Sequence, residues 1–451
     1  MARELPRESR IRSAFGAVQY LVDPLSNLRS FARRAEPIVR TSFPGIGPMV
    51  YVSDPDLVKQ VFTGDPAVYH AGESTAAFLG PVVGPNSVLT LDEQPHLRQR
   101  KLLLPPFHGA NIDRWAERIR EITERDIATW PVGSPFSLRT RTQRITLEVI
   151  LRAVFGVRGK QRFERVLPLV DDFARRANLI VLFPILRRDL GRRCPWMRFQ
   201  RSRAALDAFL YEEIALRRTE ADLAERDDVL SLLLQATDDE GRPMTDHELR
   251  DELITVIGAG HETTATAVAW AFERLLRTPA VLDRLKRSLP DGDEYLEATI
   301  KETLRMRPVI VDVGRRLTRD IELGGYLIPA GSLLVPSIAG IHYREDAYPQ
   351  ANEFRPERFL NGASDSYVWI PFGGGVRRCI GASFAQFEMR LMIRTILERA
   401  DLRAARPAPE RAKIRNITIA PARGCQVVLE RRLAEAGAQA APDLLTSGAR
   451  V

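Results

Sequence analysis

Ten residues near the C-terminal end, Phe372-Gly373-Gly374-Gly375-Val376-Arg377-Arg378-Cys379-Ile380-Gly381, constrain this chain more than any other stretch. The glycines permit tight or left-handed backbone and the close approach of a flat ligand. The spacing predicts a helix over 380–399, which would set Cys379 at its start. Free N–H groups and the positive end of the helix dipole stabilise a thiolate there. Arg377 and Arg378 add positive charge. A thiolate so placed can bind iron and push electron density toward oxygen on the opposite face. Taken alone, a cysteine after a glycine-rich turn is more often an inert packing residue. A phosphate cradle fits less well, because Gly373-x-Gly375 has no third glycine at position 378 and no lysine follows. For a cysteine nucleophile, no histidine partner is in view.

The rest of the chain offers little competition to that loop. It has 451 residues, 45% hydrophobic and 27% charged, the balance of a globular protein large enough to enclose a sizeable cofactor. Its formal charge of +8 favours an anionic partner without choosing one. The three cysteines, Cys194, Cys379 and Cys425, lie far apart. That disfavours a disulfide framework or a zinc ribbon and points to a reducing compartment. The arginine-dense start, 1–12, lacks the apolar core of a signal peptide, and no apolar run is long enough to span a bilayer. A cytoplasmic protein is expected.

Strands are expected at 38–43 and 49–52, joined by a turn at 44–48. Helical periodicity dominates from 94 to 234, with breaks at 131–134 and 183–195. A long helix is expected over 246–277, and another ends at Arg307 before Pro308. Short strands follow, and strands at 414–419 and 425–429 close the fold. Because strands do not alternate with helices, a doubly wound sheet is disfavoured. One α+β domain over 1–433, mainly α with small β-sheets, is expected, followed by a disordered tail over 434–451.

The cysteine loop resembles the haem-binding loop of the cytochrome P450 superfamily, F-x-x-G-x-R-x-C-x-G. All five fixed positions match, at Phe372, Gly375, Arg377, Cys379 and Gly381. Other segments fit the same family in the same order. Glu302-Thr303-Leu304-Arg305 resembles its E-x-x-R, and Pro356-Glu357-Arg358-Phe359 its P-E-R-F. Ala259-Gly260-His261-Glu262-Thr263-Thr264 resembles the oxygen-activation segment of the long helix. Taken singly, these are a surface ion pair and a small-residue packing patch.

The resemblance implies a triangular-prism domain holding haem b (iron protoporphyrin IX), with the Cys379 thiolate as axial ligand and Phe372 beside its sulfur. His96, Arg100, Arg315 and Arg377 would hold the propionates, with Arg316 a competitor for Arg315. Ala259 would leave room for ligands, Glu262 would relay protons, and Thr263 would hydrogen-bond oxygen or an ordered water. Glu302, Arg305 and Arg358 would brace the loop. His261 falls at a variable position and is taken as a bystander.

The chemistry implied is insertion of one oxygen atom from O2 into a lipophilic molecule. Electrons would come from a separate ferredoxin or flavodoxin with its NAD(P)H-dependent reductase, since the chain carries no flavin or nicotinamide fingerprint. Arg98, Lys101, Arg377 and Arg378 are expected on the docking surface. A monomer without nucleic acid or a transmembrane segment is expected. Pocket walls are expected at 75–88, 179–183, 256–263, 309–313 and 418–420. Two rivals stand beside this reading. One is a peroxide-driven haem-thiolate enzyme, which would lack the Glu262-Thr263 pair. The other is a haem-binding sensor or carrier, which would need no proton relay.

Overall fold

The computed structural model describes residues 3, 5, 16, 18–20, 22–34, 36–43, 47–107, 110–156, 160–360 and 367–433. The tail at 434–451, most of the start at 1–12 and the turn residues 44–46 lie outside the described residues. The first part of the chain holds α1 (Pro24–Ala32), β1 (Ile38–Phe43), β2 (Gly47–Val52), α2 (Pro55–Thr63), β3 (Tyr69–His70) and α3 (Ala71–Val83). A helical middle follows: α4 (Glu93–Leu103), α5 (Ala110–Asp113), α6 (Ala116–Ile127), then β4 (Pro135–Ser137) and α7 (Leu138–Phe155). It continues through α8 (Lys160–Leu182), α9 (Pro195–Thr219), α10 (Val229–Gln235) and α11 (Asp246–Leu275). Next come α12 (Pro279–Ser288), α13 (Glu294–Met306), β5 (Arg315–Leu317), β6 (Ile321–Leu323), β7 (Tyr326–Ile328) and β8 (Leu333–Pro336). The chain then forms α14 (Ile338–His342), α15 (Ala382–Arg399), β9 (Ala400–Ala404), β10 (Ala412–Arg415), β11 (Thr418–Pro421) and β12 (Gln426–Arg432).

The largest sheet runs β1-β2-β8-β5-β3, with β2 and β8 parallel and its other pairs antiparallel. A three-stranded sheet, β4-β12-β9, joins the closing strand to the start of α7. The expected hairpin at 38–52 is present, with Ile38 opposite Val52 and Phe43 opposite Gly47.

The frame for the site is α11. Thr245 and Glu248 close a capping box at its start, each side chain accepting from the other's backbone N–H. Leu249, Leu253 and Ile257 recur every fourth residue and are buried in the main apolar cluster. Farther along, Thr142 and Thr146 of α7 donate to the carbonyls of Ala265 and His261 at 2.9 and 2.7 Å. At the C-terminal end, the buried Trp270 donates from Nε1 to Ile419 O at 2.9 Å. The helix is thus held along its length against α7 and the closing hairpin.

Two expected boundaries move. The single strand at 414–419 is instead the β10–β11 hairpin, turned by Asn416 at φ +52°, a left-handed conformation that asparagine tolerates well. The helix expected from 380 begins at Ala382. The Cys379 N–H is taken by Phe372 O at 2.9 Å, and the first helical bond is Ala385 N to Gly381 O at 2.8 Å. Cys379 therefore sits in the loop, just outside the helix.

Candidate functional site

The cysteine loop is shaped by close packing on α2. A Cβ on Gly375, which lies at φ +62°, would come within 1.8 Å of the Phe62 carbonyl oxygen. One on Gly374 would meet the Phe62 ring at 2.4 Å. Neither position admits a side chain. Gly373 adopts φ +69°, and its N–H donates to Ile370 O at 3.0 Å. Phe372 packs edge-on against Trp369, 6.0 Å between ring centroids, and carries the carbonyl that fixes Cys379.

The thiol of Cys379 is enclosed by protein, and that burial pushes its pKa up. The Gly381 N–H, Arg100 and Arg378 act in the opposite direction. Among these protein groups burial is the largest influence. Yet the residue keeps accessible surface. An enclosed side chain with accessible surface faces an internal cleft. The middle of α11 behaves alike: Gly258 and Ala259 are exposed and 260–263 half-buried, whereas 251–255 before them and 264–273 after them are buried. The exposed face of α11 carries no side chain larger than a methyl at these two positions.

Next to Cys379 lies a cluster of cations. His96 is buried and its pKa is lowered to about 3, by burial first and then by Arg377, Arg100 and Arg315. Arg315 is 6% exposed, whereas its neighbour Arg316 is turned outward, donating to Gly331 O and lying 3.8 Å from Glu73. Burial and then Arg377 lower the Arg315 pKa to about 10. Arg377 donates to Val88 O at 3.2 Å, Leu91 O at 2.5 Å and Asp92 Oδ1 at 2.5 Å. Its pKa too is lowered to about 10, chiefly by burial. Asp92 also accepts from the Gly72 and Glu73 N–H groups at the start of α3, both at 2.8 Å. Burial lowers the pKa of Arg100, and the charges of Cys379 and Arg378 act on it in opposite directions.

The charge balance of this cluster tests the cofactor. Three guanidinium groups, Arg100, Arg315 and Arg377, face one carboxylate, Asp92, an excess of two positive charges. Unbalanced charge held partly away from water is costly. A cofactor carrying two carboxylates would neutralise it, and haem carries two propionates. Among the described residues no cluster of three or more His, Cys, Asp or Glu could hold a metal ion. A metal on Cys379 therefore needs a cofactor that brings its own donors. The residues present fit haem.

On α11, Thr263 donates to Ala259 O at 2.6 Å, the habit of a mid-helix threonine. The Glu262 carboxylate accepts from Arg139 at 2.9 Å and from the Asn416 amide at 3.0 Å. Arg139 also donates to Thr266 at 3.1 Å, and the Asn416 amide oxygen is buried without a partner. His261 turns its Nδ1 onto Ile257 O at 2.9 Å. The motif singled out Glu262 but neither of its partners.

The bracing residues come together away from the cleft. Arg305 donates to both carboxylate oxygens of Glu302 at 2.7 and 2.9 Å, and Arg358 to one of them at 3.3 Å. Arg305 further donates to His342 O, and Arg358 to Pro349 O and Gln350 O. His342, which no motif marked, completes the brace. Its ring meets Arg305 O through Nδ1 at 3.2 Å and accepts the Ile370 N–H at Nε2, 3.0 Å away.

The expected docking cations are mostly engaged. Arg98 pairs with Asp238 and Glu248, both at 2.6 Å, and Lys101 with Asp239. Arg377 is turned inward on Asp92. Arg378 alone of the four is exposed and without an ion pair among the described residues. The other three have anionic partners within the chain.

The family model described as Cytochrome P450 matches residues 8–423. Cytochrome P450 135B1 of Mycobacterium tuberculosis is 41% identical over 433 residues, 94% of this chain and 91% of that protein. Cytochrome P450 137 of the same organism is 38% identical over 435 residues, 94% and 90% of the two chains. Among solved structures, retinoic acid-bound cyanobacterial CYP120A1 superposes with a TM-score of 0.77 at 24% identity, covering 88% of this chain and 92% of that one. The haem domain of a cytochrome P450 variant gives 0.81 at 22% identity, covering 96% and 98%. Among the described residues no helix is long and apolar enough to cross a membrane.

Proposed function

The chain belongs to the cytochrome P450 family of haem-thiolate monooxygenases, and from that premise we propose which residues carry the reaction and what it acts on. Cys379 would hold the haem iron through its thiolate. The observation that carries this reading is the accessible Cys379 beside three cations, Arg100, Arg315 and Arg377, that outnumber the Asp92 carboxylate among them by two. His96, Arg100, Arg315 and Arg377 hold the two propionates, and Phe372, Gly375 and Gly381 shape the loop around the sulfur. Glu302, Arg305 and Arg358 fix the segment leading into it.

When bound, the haem supplies reductive activation of O2: one oxygen atom enters the substrate and the other leaves as water, with two electrons and two protons consumed. The protons are the protein's task. Glu262 is placed to pass them inward once its carboxylate loosens from Arg139 or Asn416. Thr263 holds them at its hydroxyl after turning from the Ala259 carbonyl, and Ala259 keeps the cleft open beside it. Electrons come from a ferredoxin or flavodoxin with its NAD(P)H-dependent reductase, for which Arg378 offers an exposed cation.

A lipophilic substrate is favoured by the aliphatic residues at the expected pocket positions, Val256, Val309, Ile310, Val311, Val313, Ile419 and Ala420. The test of the ligand is the ferrous–CO spectrum. The wild-type chain should show the red-shifted Soret band of thiolate ligation, and so should Cys194→Ala and Cys425→Ala. Cys379→Ala should lose it. A red-shifted band that survives in Cys379→Ala removes the assignment.

A further inference from the structure

The segment between α13 and β5 carries an acid that the chemistry above does not use. Ile310 and Asp312 keep accessible surface while Val309 and Val311 turn into the apolar core, the two-residue period of an extended chain. The backbone is fixed on both sides of the acid: the Ala339 N–H donates to Val311 O at 3.1 Å, and the Val313 N–H to Pro336 O at 3.3 Å. Farther back, the Ile419 N–H of β11 donates to Val309 O at 2.8 Å. Asp312 is enclosed by protein yet keeps accessible surface, as Cys379 does, and so faces an internal cleft.

The two oxygens of this carboxylate are held differently. Oδ1 accepts from the Ser337 hydroxyl at 2.8 Å, and that hydroxyl accepts the Gly340 N–H at 3.1 Å at the start of α14. Oδ2 receives a long contact, 3.4 Å, from the Tyr51 hydroxyl. Tyr20 lies near enough for the Asp312 charge to raise its phenol pKa further than burial already does. Tyr51 in turn stacks on Phe31, with 4.8 Å between ring centroids. The segments expected to wall the pocket hold two carboxylates, Glu262 and Asp312. Glu262 is paired with Arg139 at 2.9 Å, whereas Asp312 has no ion pair among the described residues. Burial pushes the Asp312 pKa up to about 7. A carboxylate kept from water in this way gains most from a cation brought to it.

We propose that Asp312 selects lipophilic molecules bearing a positively charged amine, the ammonium head resting against Oδ2 beside the phenols of Tyr20 and Tyr51. An acid among aromatic rings suits a cation, which the carboxylate attracts by its charge and the rings by their quadrupoles. A fatty acid would set two carboxylates against each other. A hydrocarbon would leave the acid enclosed without a partner. The inference rests on the reading of this cleft as the site of oxygen insertion, to which it adds the class of substrate.

The experiment is equilibrium dialysis of the holoenzyme against three probes with one alkyl chain and different heads: decyltrimethylammonium, decanol and decanoate. A quaternary head neither titrates nor ligates iron, so any pH dependence of its binding belongs to the protein. The wild-type chain should bind the ammonium most tightly and decanoate least. Asp312→Asn keeps the shape of the side chain; it should bind the ammonium about thirtyfold more weakly, the lower end for losing one partner of a buried charge pair, and leave decanol binding unchanged. Wild-type affinity for the ammonium should be level above pH 7 and fall by up to about tenfold per unit below it, as the carboxylate takes up its proton. Asp312→Asn should show no such slope. A wild-type chain that binds decanoate or decanol as tightly as the ammonium overturns the proposal. So does an Asp312→Asn chain with unaltered ammonium affinity, since the carboxylate would then serve only to hold Ser337. The ferrous–CO spectrum of the same samples keeps the two readings apart. A normal band without ammonium preference defeats this inference alone, whereas an absent band in the wild-type chain defeats the haem assignment. Should Asp312→Asn lose the band through misfolding, the wild-type pH slope and order of the three heads still decide.

Discussion

At the scale of single residues, the proton path can be tested at two neighbours with different outcomes. Glu262→Gln keeps the size of the side chain and its contact with Asn416 but removes the charge that can carry a proton. Product formation should fall about a hundredfold, the lower end of what general acid–base groups contribute. Thr263→Ala should instead let reductant consumption continue while peroxide replaces product, since the hydroxyl that directs the proton is gone. The ratio of product to NAD(P)H consumed distinguishes the two. Unaltered turnover in Glu262→Gln would take the acid out of the mechanism. Both residues could be picked out in the sequence because they stand side by side in one hexamer. Arg139 and Asn416, which grip the same carboxylate, lie 123 and 154 residues away along the chain. No local pattern couples an arginine near the start of α7 to an asparagine in a later turn. Only the fold of α11 against both makes them partners.

At the scale of elements, α13, α14 and the segment before the cysteine loop are joined by one imidazole. His342 is fully buried, and burial, then the Arg305 charge, lower its pKa to about 3. It therefore works as the neutral tautomer, donating to Arg305 O through Nδ1 and accepting the Ile370 N–H at Nε2. The sign of its pH effect follows. The unfolded chain, with an ordinary histidine pKa of 6.5, binds the proton first as pH falls. The stability this group contributes is complete above pH 6.5 and is lost as pH drops toward about 3. The loss is about 1.4 kcal/mol per pH unit within that window. Denaturant melts at pH 7 and pH 5 should show this extra acid loss in the wild-type chain. His342→Phe should lack it, be less stable at pH 7 by about 1–3 kcal/mol for the orphaned Ile370 N–H, and give a broader Soret band. Equal acid loss in both proteins would refute the role. The elements themselves were mostly legible: the long helix from 246, the stop before Pro308 and the first hairpin all follow from local residue chemistry. The segment 414–419 was not, because its β-branched residues Ile414, Ile417, Thr418 and Ile419 read as one strand unless Asn416 turns left-handed.

At the scale of the whole molecule, the cation cluster ties folding to the cofactor. Arg315 comes from β5, Arg377 from the cysteine loop, and Arg100 and His96 from α4, so one charge cluster spans three separate parts of the fold. Asp92 offsets a single unit of its charge. Without a dianionic ligand the protein bears the desolvation of the rest; with haem in place, binding and folding reinforce one another. Stability and cofactor retention should then move in opposite directions when one cation is removed. Arg315→Met, of similar reach and without charge, should stabilise the haem-free chain by about 1–4 kcal/mol, the range seen when buried ions give way to apolar groups. The same variant should release haem to a scavenging apoprotein faster than wild type, because one propionate partner is gone. Arg316→Met, whose side chain faces outward, should change neither quantity measurably. The sequence pointed to Arg315 but left its neighbour Arg316 as a competitor; the alternation of β5 buries the first and turns the second outward toward Glu73. A haem-free Arg315→Met chain less stable than wild type would mean that the guanidinium is held chiefly by protein groups such as the Gly314 carbonyl and the Phe62 ring, and the excess of positive charge would then not be what draws the cofactor in.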